Sequence, residues 1–231
     1  MTEAGGPKLA IGAAICHARG GPGTLGCFAW QGATRVLLSA SHIIAPDGAA
    51  VGDWIYRARL GEPPDPAPAG RVARLLAIGE HVSAAALLPG IADCGNALPA
   101  AAQAAGGIAA AMTDPDGARG RRVAKVGAAS GLTFGSLHGV LHRARVRTAS
   151  GGVAVVRPAW GIVSDDGDFC RPGDSGALAF TLDPPAAVGL LYSVSIDRTG
   201  RQNVVVIPAH GVMARFGLRF SPSAALPDHA P

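Results

Sequence analysis

Aromatic side chains make up only 5% of this 231-residue chain and charged ones only 16%. Nucleic-acid readers combine clustered basic residues with aromatic stacking platforms, so this shortage and a net charge of only +4 argue against a nucleic-acid partner. No apolar run approaches the ~20 residues of a membrane-crossing helix, so no membrane association is expected. The start, Met1 to Lys8, lacks a basic segment followed by an apolar run. A secretory signal is therefore not expected and a cytoplasmic location is, or a secreted one if the chain is a processed fragment. Cysteine is scarce too: Cys16, Cys27, Cys94 and Cys170 show neither CxxC nor metal-ligand spacing. Buried free thiols are expected rather than bridges, with no metal and no cofactor.

What the chain has in quantity is turn chemistry. Its 33 glycines and 18 prolines, with 48% hydrophobic residues, suit many short strands around a sizeable core. This length fits one all-β unit or two small domains. In the first half, strands are expected over 9–16, 26–30, 34–38, 51–56, 71–78 and 82–88. Gly61 to Gly70, with four prolines, reads as an exposed loop open to substrate or partner contact. The Ala/Gly-rich Leu98 to Gly120 reads as a connection with a helical turn.

Further strands follow in the second half, over 122–135, 139–148, 153–156, 161–164, 178–181, 188–194 and 203–207. Between Gly139 and Thr148 the pattern alternates, with Val140, His142, Ala144 and Val146 on one face and Leu141, Arg143, Arg145 and Arg147 on the other. The arginines read as a solvated outer face rather than an anion or nucleic-acid site. Pro208 can open a helix whose Val212, Met213 and Phe216 share a face, with Gly217 as C-cap and 221–231 as a frayed tail.

The most informative stretch is Phe169-Cys170-Arg171-Pro172-Gly173-Asp174-Ser175-Gly176-Ala177-Leu178. It reads as a nucleophilic serine in a glycine turn. A serine hydroxyl needs a base within reach and donors aimed at the oxyanion it creates. Gly173 lets its N–H turn inward beside that of Ser175, and Gly176 is expected to let substrate backbone pass close to the serine. A strand and short turn, Val36 to His42, supply the base 133 residues upstream.

Gly-Asp-Ser-Gly resembles the nucleophile motif of the chymotrypsin-like serine peptidases, and Val36 to His42 resembles their histidine segment. Histidine first and serine last is also their order. Gly23-Thr24-Leu25-Gly26-Cys27 resembles the opening of the first barrel in bacterial members. Arg122 to Gly135 resembles the Lys-Val-Gly, Ser/Thr-Gly, Thr, Gly pattern that opens the second barrel in a bacterial and plant branch.

The resemblance implies an all-β fold of two antiparallel six-stranded β-barrels with a short C-terminal helix in a single unit. Barrel 1 spans about 8–98, the connection about 99–120, barrel 2 about 121–220 and the tail 221–231. It implies that His42 takes the Ser175 proton, that Ser175 attacks a peptide carbonyl, and that the Gly173 and Ser175 N–H groups hold the oxyanion. Asp174 pins this turn through a charge partner, for which Arg171 is a candidate.

The triad aspartate is missing: in His81-Val82-Ser83-Ala84-Ala85-Ala86-Leu87, Ser83 stands in its place. Asp93 is the alternative if the register is shifted. The base of the specificity pocket falls on Phe169 and its wall on Tyr192, Ser193 and Val194, which implies small apolar side chains before the cut. A preference for Arg or Lys would instead implicate Asp165, Asp166 or Asp168. Two functions follow: a serine endopeptidase acting on protein or peptide substrates, attenuated at Ser83, or a lapsed peptidase fold used as a binding or regulatory module.

Overall fold

A computed structural model describes residues 8–62, 70–104, 106–141, 144–147, 153–165 and 167–222. The first seven strands are β1 (Ala14–His17), β2 (Gly23–Thr24), β3 (Cys27–Gln31), β4 (Thr34–Ala40), β5 (Trp54–Arg57), β6 (Arg71–Ala77) and β7 (Val82–Leu87), with the single-turn helix α1 (Ser41–Ile44) after β4. They form one antiparallel sheet in the order β2-β1-β5-β6-β7-β4-β3. It curls around Leu9, Ile15, Leu25, Phe28, Leu37 and Ile55.

The second half contributes β8 (Arg122–Gly127), β9 (Gly131–Leu141), β10 (Ala144–Arg147), β11 (Val153–Val156), β12 (Ala159–Ser164), β13 (Leu178–Thr181), β14 (Ala187–Ile196) and β15 (Gln202–Pro208), then α2 (Ala209–Phe216). Here β12-β15-β14-β13-β8-β9 closes into a six-stranded barrel, and β10 and β11 form a separate hairpin. Closure removes the unpaired edges that an open sheet would leave.

The two units share a third cluster, which includes Val36, Leu38, Val82, Ala84, Phe180, Leu190 and Met213. Strand alternation explains how β4 serves two cores. Val36 and Leu38 face this shared cluster while Leu37, between them, faces the first core. A strand buried on both faces reads as a continuous apolar run, which is how 36–38 looks in the sequence.

Boundaries differ from the sequence reading where turns intervene. The strand expected from Leu9 starts only at Ala14, because a turn closed by the Ala13 N–H on the Ala10 carbonyl (3.1 Å) precedes it. The strand expected from Val51 begins at Trp54, after a turn whose Ala50 N–H is held by the Asp53 carboxylate at 2.9 Å. The alternation over 139–148 ends β9 at Leu141 and resumes in β10. Ala144 and Val146 are buried and Arg145 is exposed, as the pattern implies.

His142, Arg143, Asp166, the N-terminal residues 1–7, most of the proline-rich loop (63–69) and the tail 223–231 lie outside the described residues, as does the Arg147 side chain. The connection carries a short 3-10 turn, Ala100–Ala102, and α2 ends at Gly217 with φ 62°. Among the described residues no helix is long and apolar enough to cross a membrane.

Candidate active site

His42 sits on α1 directly after β4. Ile43 and Ile44 of the same turn are buried in the first core, and the Ser41 N–H donates to the His81 carbonyl at 2.8 Å. With these anchors inside, the His42 side chain is left on the outer face. Packing from below removes part of its hydration, which lowers its pKa from the ordinary histidine value.

Ser175 lies in the turn before β13, and the other barrel clamps that turn. The Thr24 N–H donates to the Ser175 carbonyl at 2.8 Å, and the Thr24 hydroxyl donates to the Gly173 carbonyl at 2.8 Å. The same hydroxyl accepts the Ala128 N–H at 3.0 Å. Thr24 is fully buried and joins β2, the Ser175 turn and the end of β8. Gly173 has φ 103°, the left-handed region that lets its N–H turn inward.

Gly176 differs in its reason. With φ 89°, a Cβ there would overlap the Ser39 hydroxyl and stand 2.6 Å from the Thr24 carbonyl and 2.9 Å from the Ala40 nitrogen. Its smallness admits the end of β4, not a passing substrate. The contact also sets Ser175 and Gly176 against Ser39 and Ala40, just before His42.

Asp174 is 1% exposed and accepts five hydrogen bonds. Its donors are Lys125 Nζ (2.9 Å), the Ser130 hydroxyl (2.6 Å) and the N–H groups of Ala129 (2.9 Å), Ser130 (3.1 Å) and Arg171 (2.9 Å). Arg171 is therefore not the charge partner. Its guanidinium turns outward to Asp168 at 3.2 Å, and only its backbone reaches Asp174. The cation is Lys125 from β8, fully buried.

Burial pushes the Asp174 carboxyl upward, but the bonds from Ser130, Arg171 N–H and Lys125 outweigh it and hold the carboxyl below the ordinary range. Burial likewise lowers Lys125, against the pull of Asp174. For Asp174 the depressed folded value means a stabilising contribution that is complete above the ordinary carboxylate pKa of about 4 and fades as pH falls through the lower folded value.

Ser83 lies in β7 opposite Ser39 of β4, at the end of the strand that leads to His42. It is fully buried, and its proton can be assigned by elimination. The Ser41 hydroxyl donates to the Gly79 carbonyl at 2.7 Å, so the Ser41–Ser83 bond of 2.9 Å is donated by Ser83. Ser83 also accepts the Gly79 N–H at 3.2 Å. One lone pair is left over. Asp93 is elsewhere: Arg35 binds it at 3.0 and 3.3 Å, at the opposite end of β4. Seven residues of strand separate the two ends by roughly 20 Å.

The residues expected at the pocket point in different directions. Phe169 is fully buried in the second barrel core, with its carbonyl held by the Thr133 hydroxyl at 2.6 Å. Val194 is 42% exposed on β14. Tyr192 turns to the histidines, its ring edge-on to His42 at 5.5 Å and to His81 at 4.9 Å between centroids. Asp165 is bound to the Ser136 hydroxyl and Asp168 to Gln202 and Arg171.

All four cysteines are free, Cys94 exposed and the others buried. Burial pushes the Cys27 thiol up to about 12 and Cys16 and Cys170 up to about 11, so these are unreactive core groups. Among the described residues no His/Cys/Asp/Glu cluster could hold a metal.

Sequence reasoning missed Thr24 as a clamp and Leu60, whose Cδ2 would stand 2.9 Å from a Cβ on Gly173. Thr24 had a signal, its place in Gly23-Thr24-Leu25-Gly26-Cys27. Leu60 had none.

The lowered His42 pKa sets a first expectation. If His42 acts as a base, the acid limb of the pH–activity profile falls below the ordinary imidazole value of about 6.5. A limb at or above that value would show a negative charge acting on the ring.

No family model and no curated protein sequence matches the chain. Solved structures do. Protease A of Thermobifida fusca matches with a TM-score of 0.64 at 15% identity, over 92% of this chain and 98% of that one. The chymotrypsin of Cellulomonas bogoriensis gives 0.64 at 15%, over 94% and 100%. A Nocardiopsis protease gives 0.65 at 16%, over 92% and 98%. Closed second barrel, curled first sheet, C-terminal helix and near-complete coverage agree: this chain has the chymotrypsin-like fold of the bacterial serine proteases.

Proposed function

We propose that the protein is a serine endopeptidase with Ser175 as nucleophile and His42 as general base, working at reduced rate because Ser83 replaces the acid. The observation that carries this reading is the contact of Gly176 with Ser39 and Ala40, with Thr24 tying the Ser175 and Gly173 carbonyls to the same barrel. It brings the serine turn against the strand end that bears the only histidine of α1. A fold kept solely for binding has no chemical need of that arrangement.

In the reaction, Ser175 Oγ attacks the scissile carbonyl carbon as its proton passes to His42, and the N–H groups of Gly173 and Ser175 receive the oxyanion. Collapse of the tetrahedral adduct expels the amine, protonated by His42, and leaves an ester on Ser175. Water, deprotonated by His42, then attacks that ester and frees the acid. Across both steps His42 carries a transient positive charge. In the Ser-His-Asp mechanism a carboxylate offsets it; here a buried hydroxyl would do so only as a dipole.

Substrates are unfolded or exposed protein segments with a small apolar residue before the cut. No charged side chain stands where the pocket base was expected, since Phe169 is buried in the barrel core, and Asp165 and Asp168 are engaged by protein partners. The second reading, a lapsed fold serving as a binding module, draws support from the neutral surroundings of Ser83, whose hydroxyl is already bonded to Ser41 and Gly79.

Peptide-library digestion separates the two. The expectation is slow cleavage after Ala or Val that is absent in Ser175→Ala, with small and bulky side chains separated by roughly 1–3 kcal/mol per methylene that fits or clashes. Dominant cleavage after Arg or Lys would overturn the specificity, and identical digestion by Ser175→Ala would overturn the activity.

A further inference from the structure

A cavity lies behind the histidines, outside the reacting groups. It measures about 120 Å³ and runs between the start of β7, the approach to β12 and helix α2. Val82, Ile207, Val212 and Phe216 make its walls apolar. Two arginines, Arg157 and Arg215, stand at its margin, both exposed and neither paired with a carboxylate among the described residues.

Two further features border the cavity. His81 forms part of the inner wall with its side chain only 9% exposed, and among the described residues neither buried ring nitrogen makes a hydrogen bond of good geometry. A neutral imidazole always carries one N–H donor, and buried donors are rarely left unpaired. The nearest carboxylate oxygen, Glu80 Oε1, is 3.6 Å from Nε2, beyond hydrogen-bond range. Helix α2 begins at the cavity with Pro208 as N-cap and no side-chain cap on its first-turn N–H groups. Gly211 faces the cavity, and a Cβ there would meet nothing within 4 Å.

We propose that this cavity binds a small carboxylate with a branched apolar body, the carboxylate between Arg157 and Arg215 and the body against Val82, Val212 and Phe216. An isolated phosphate or sulfate would satisfy the arginines but leave the apolar walls wet. A neutral hydrocarbon would leave the arginines unanswered. The combination selects both parts of the ligand. The place matters because His81 is shared with the active site: its carbonyl holds the Ser41 N–H at 2.8 Å, and its ring packs on Tyr192, which in turn meets His42. The proposal stands apart from the peptidase reading, since it needs neither Ser175 nor its chemistry.

The test is calorimetric titration of the whole chain with 4-methylpentanoate and with 4-methylpentanamide, its uncharged counterpart. Charge-assisted bonds to two guanidinium groups should make the acid bind at least about tenfold more tightly than the amide. Arg157→Gln and Arg215→Gln, both at exposed positions, should each erase most of that difference. Gly211→Leu should abolish binding by filling the cavity, while the open space and the better helix propensity of leucine keep the fold intact. Equal affinity for acid and amide, no saturable binding of the acid, or full affinity in Gly211→Leu would each overturn the proposal.

Discussion

Ser83→Asp is expected to raise peptide-bond turnover by up to about four powers of ten, the loss that follows when a chymotrypsin-type triad keeps its geometry but not its carboxylate charge. The site is prepared for the change in part. Ser83 is at the His42 end of the β4–β7 pair, and Gly79 N–H already points at its side chain. A carboxylate there would take that N–H, the Ser41 hydroxyl and the inner N–H of the His42 ring. The cost is the bond from Ser41 to the Gly79 carbonyl, which must be given up if Ser41 turns to the new anion. Burying a charge at a position with no exposure also costs stability unless all three donors engage it. The variant should therefore be faster and somewhat less stable. Its pH profile should move in the matching direction: a nearby anion raises the His42 pKa, so the acid limb shifts upward from its low wild-type position. Steady-state kinetics over pH read both effects. No gain in Ser83→Asp together with a collapse in Asp93→Asn would place the acid at Asp93 and contradict the register described here.

Lys125→Met should disorder the Ser175 turn with no change to Ser175 or His42. Asp174 holds that turn through five donors, and Lys125 is the only one that carries charge. Removing one partner of a buried pair leaves an uncompensated charge, which costs about 3–5 kcal/mol. The carboxylate would then seek water or a proton, dragging with it the N–H groups of Ala129, Ser130 and Arg171 and reorienting Gly173. We expect at least a hundredfold loss of activity and a lower denaturation midpoint. Lys125→Met combined with Asp174→Asn should recover much of the stability, because no buried charge remains. Arg171→Met should do little, its guanidinium being exposed and, among the described residues, paired with Asp168. Denaturant unfolding of the three variants, with activity beside it, checks the order. A large loss from Arg171→Met and a small one from Lys125→Met would return the pinning role to Arg171.

These two cases show how legible the molecule is from its residues. Strands β4, β7, β13 and β15 could be read because alternating or continuous apolar runs are local signals, and Pro208 and Gly217 bracketed α2 for the same reason. The serine turn was legible as a word of four residues and His42 as the end of an apolar strand. What could not be read were partners brought in by the tertiary fold. Lys125 meets Asp174 across 49 residues of chain and Thr24 meets Gly173 across 149, whereas Arg171 is only three residues from Asp174 and looked nearer. In a tight turn the side chain at that position points outward, so sequence proximity misled. Phe169 and Tyr192 were legible in position but not in direction. One turns into the barrel core and the other onto the two histidines, and only packing decides such orientations. Gly176 was expected to make room for substrate backbone, whereas the neighbours that a side chain there would meet are Ser39, Thr24 and Ala40.

The central claim is that Ser175 is a nucleophile activated by His42. Its most direct test is covalent labelling of the purified chain with an organophosphonate serine probe, followed by mass spectrometry of the modified peptide. The account predicts slow labelling confined to Ser175, abolished by His42→Ala and accelerated by Ser83→Asp. Labelling that persists unchanged in His42→Ala, or none at all in the wild type and in Ser83→Asp alike, would contradict it.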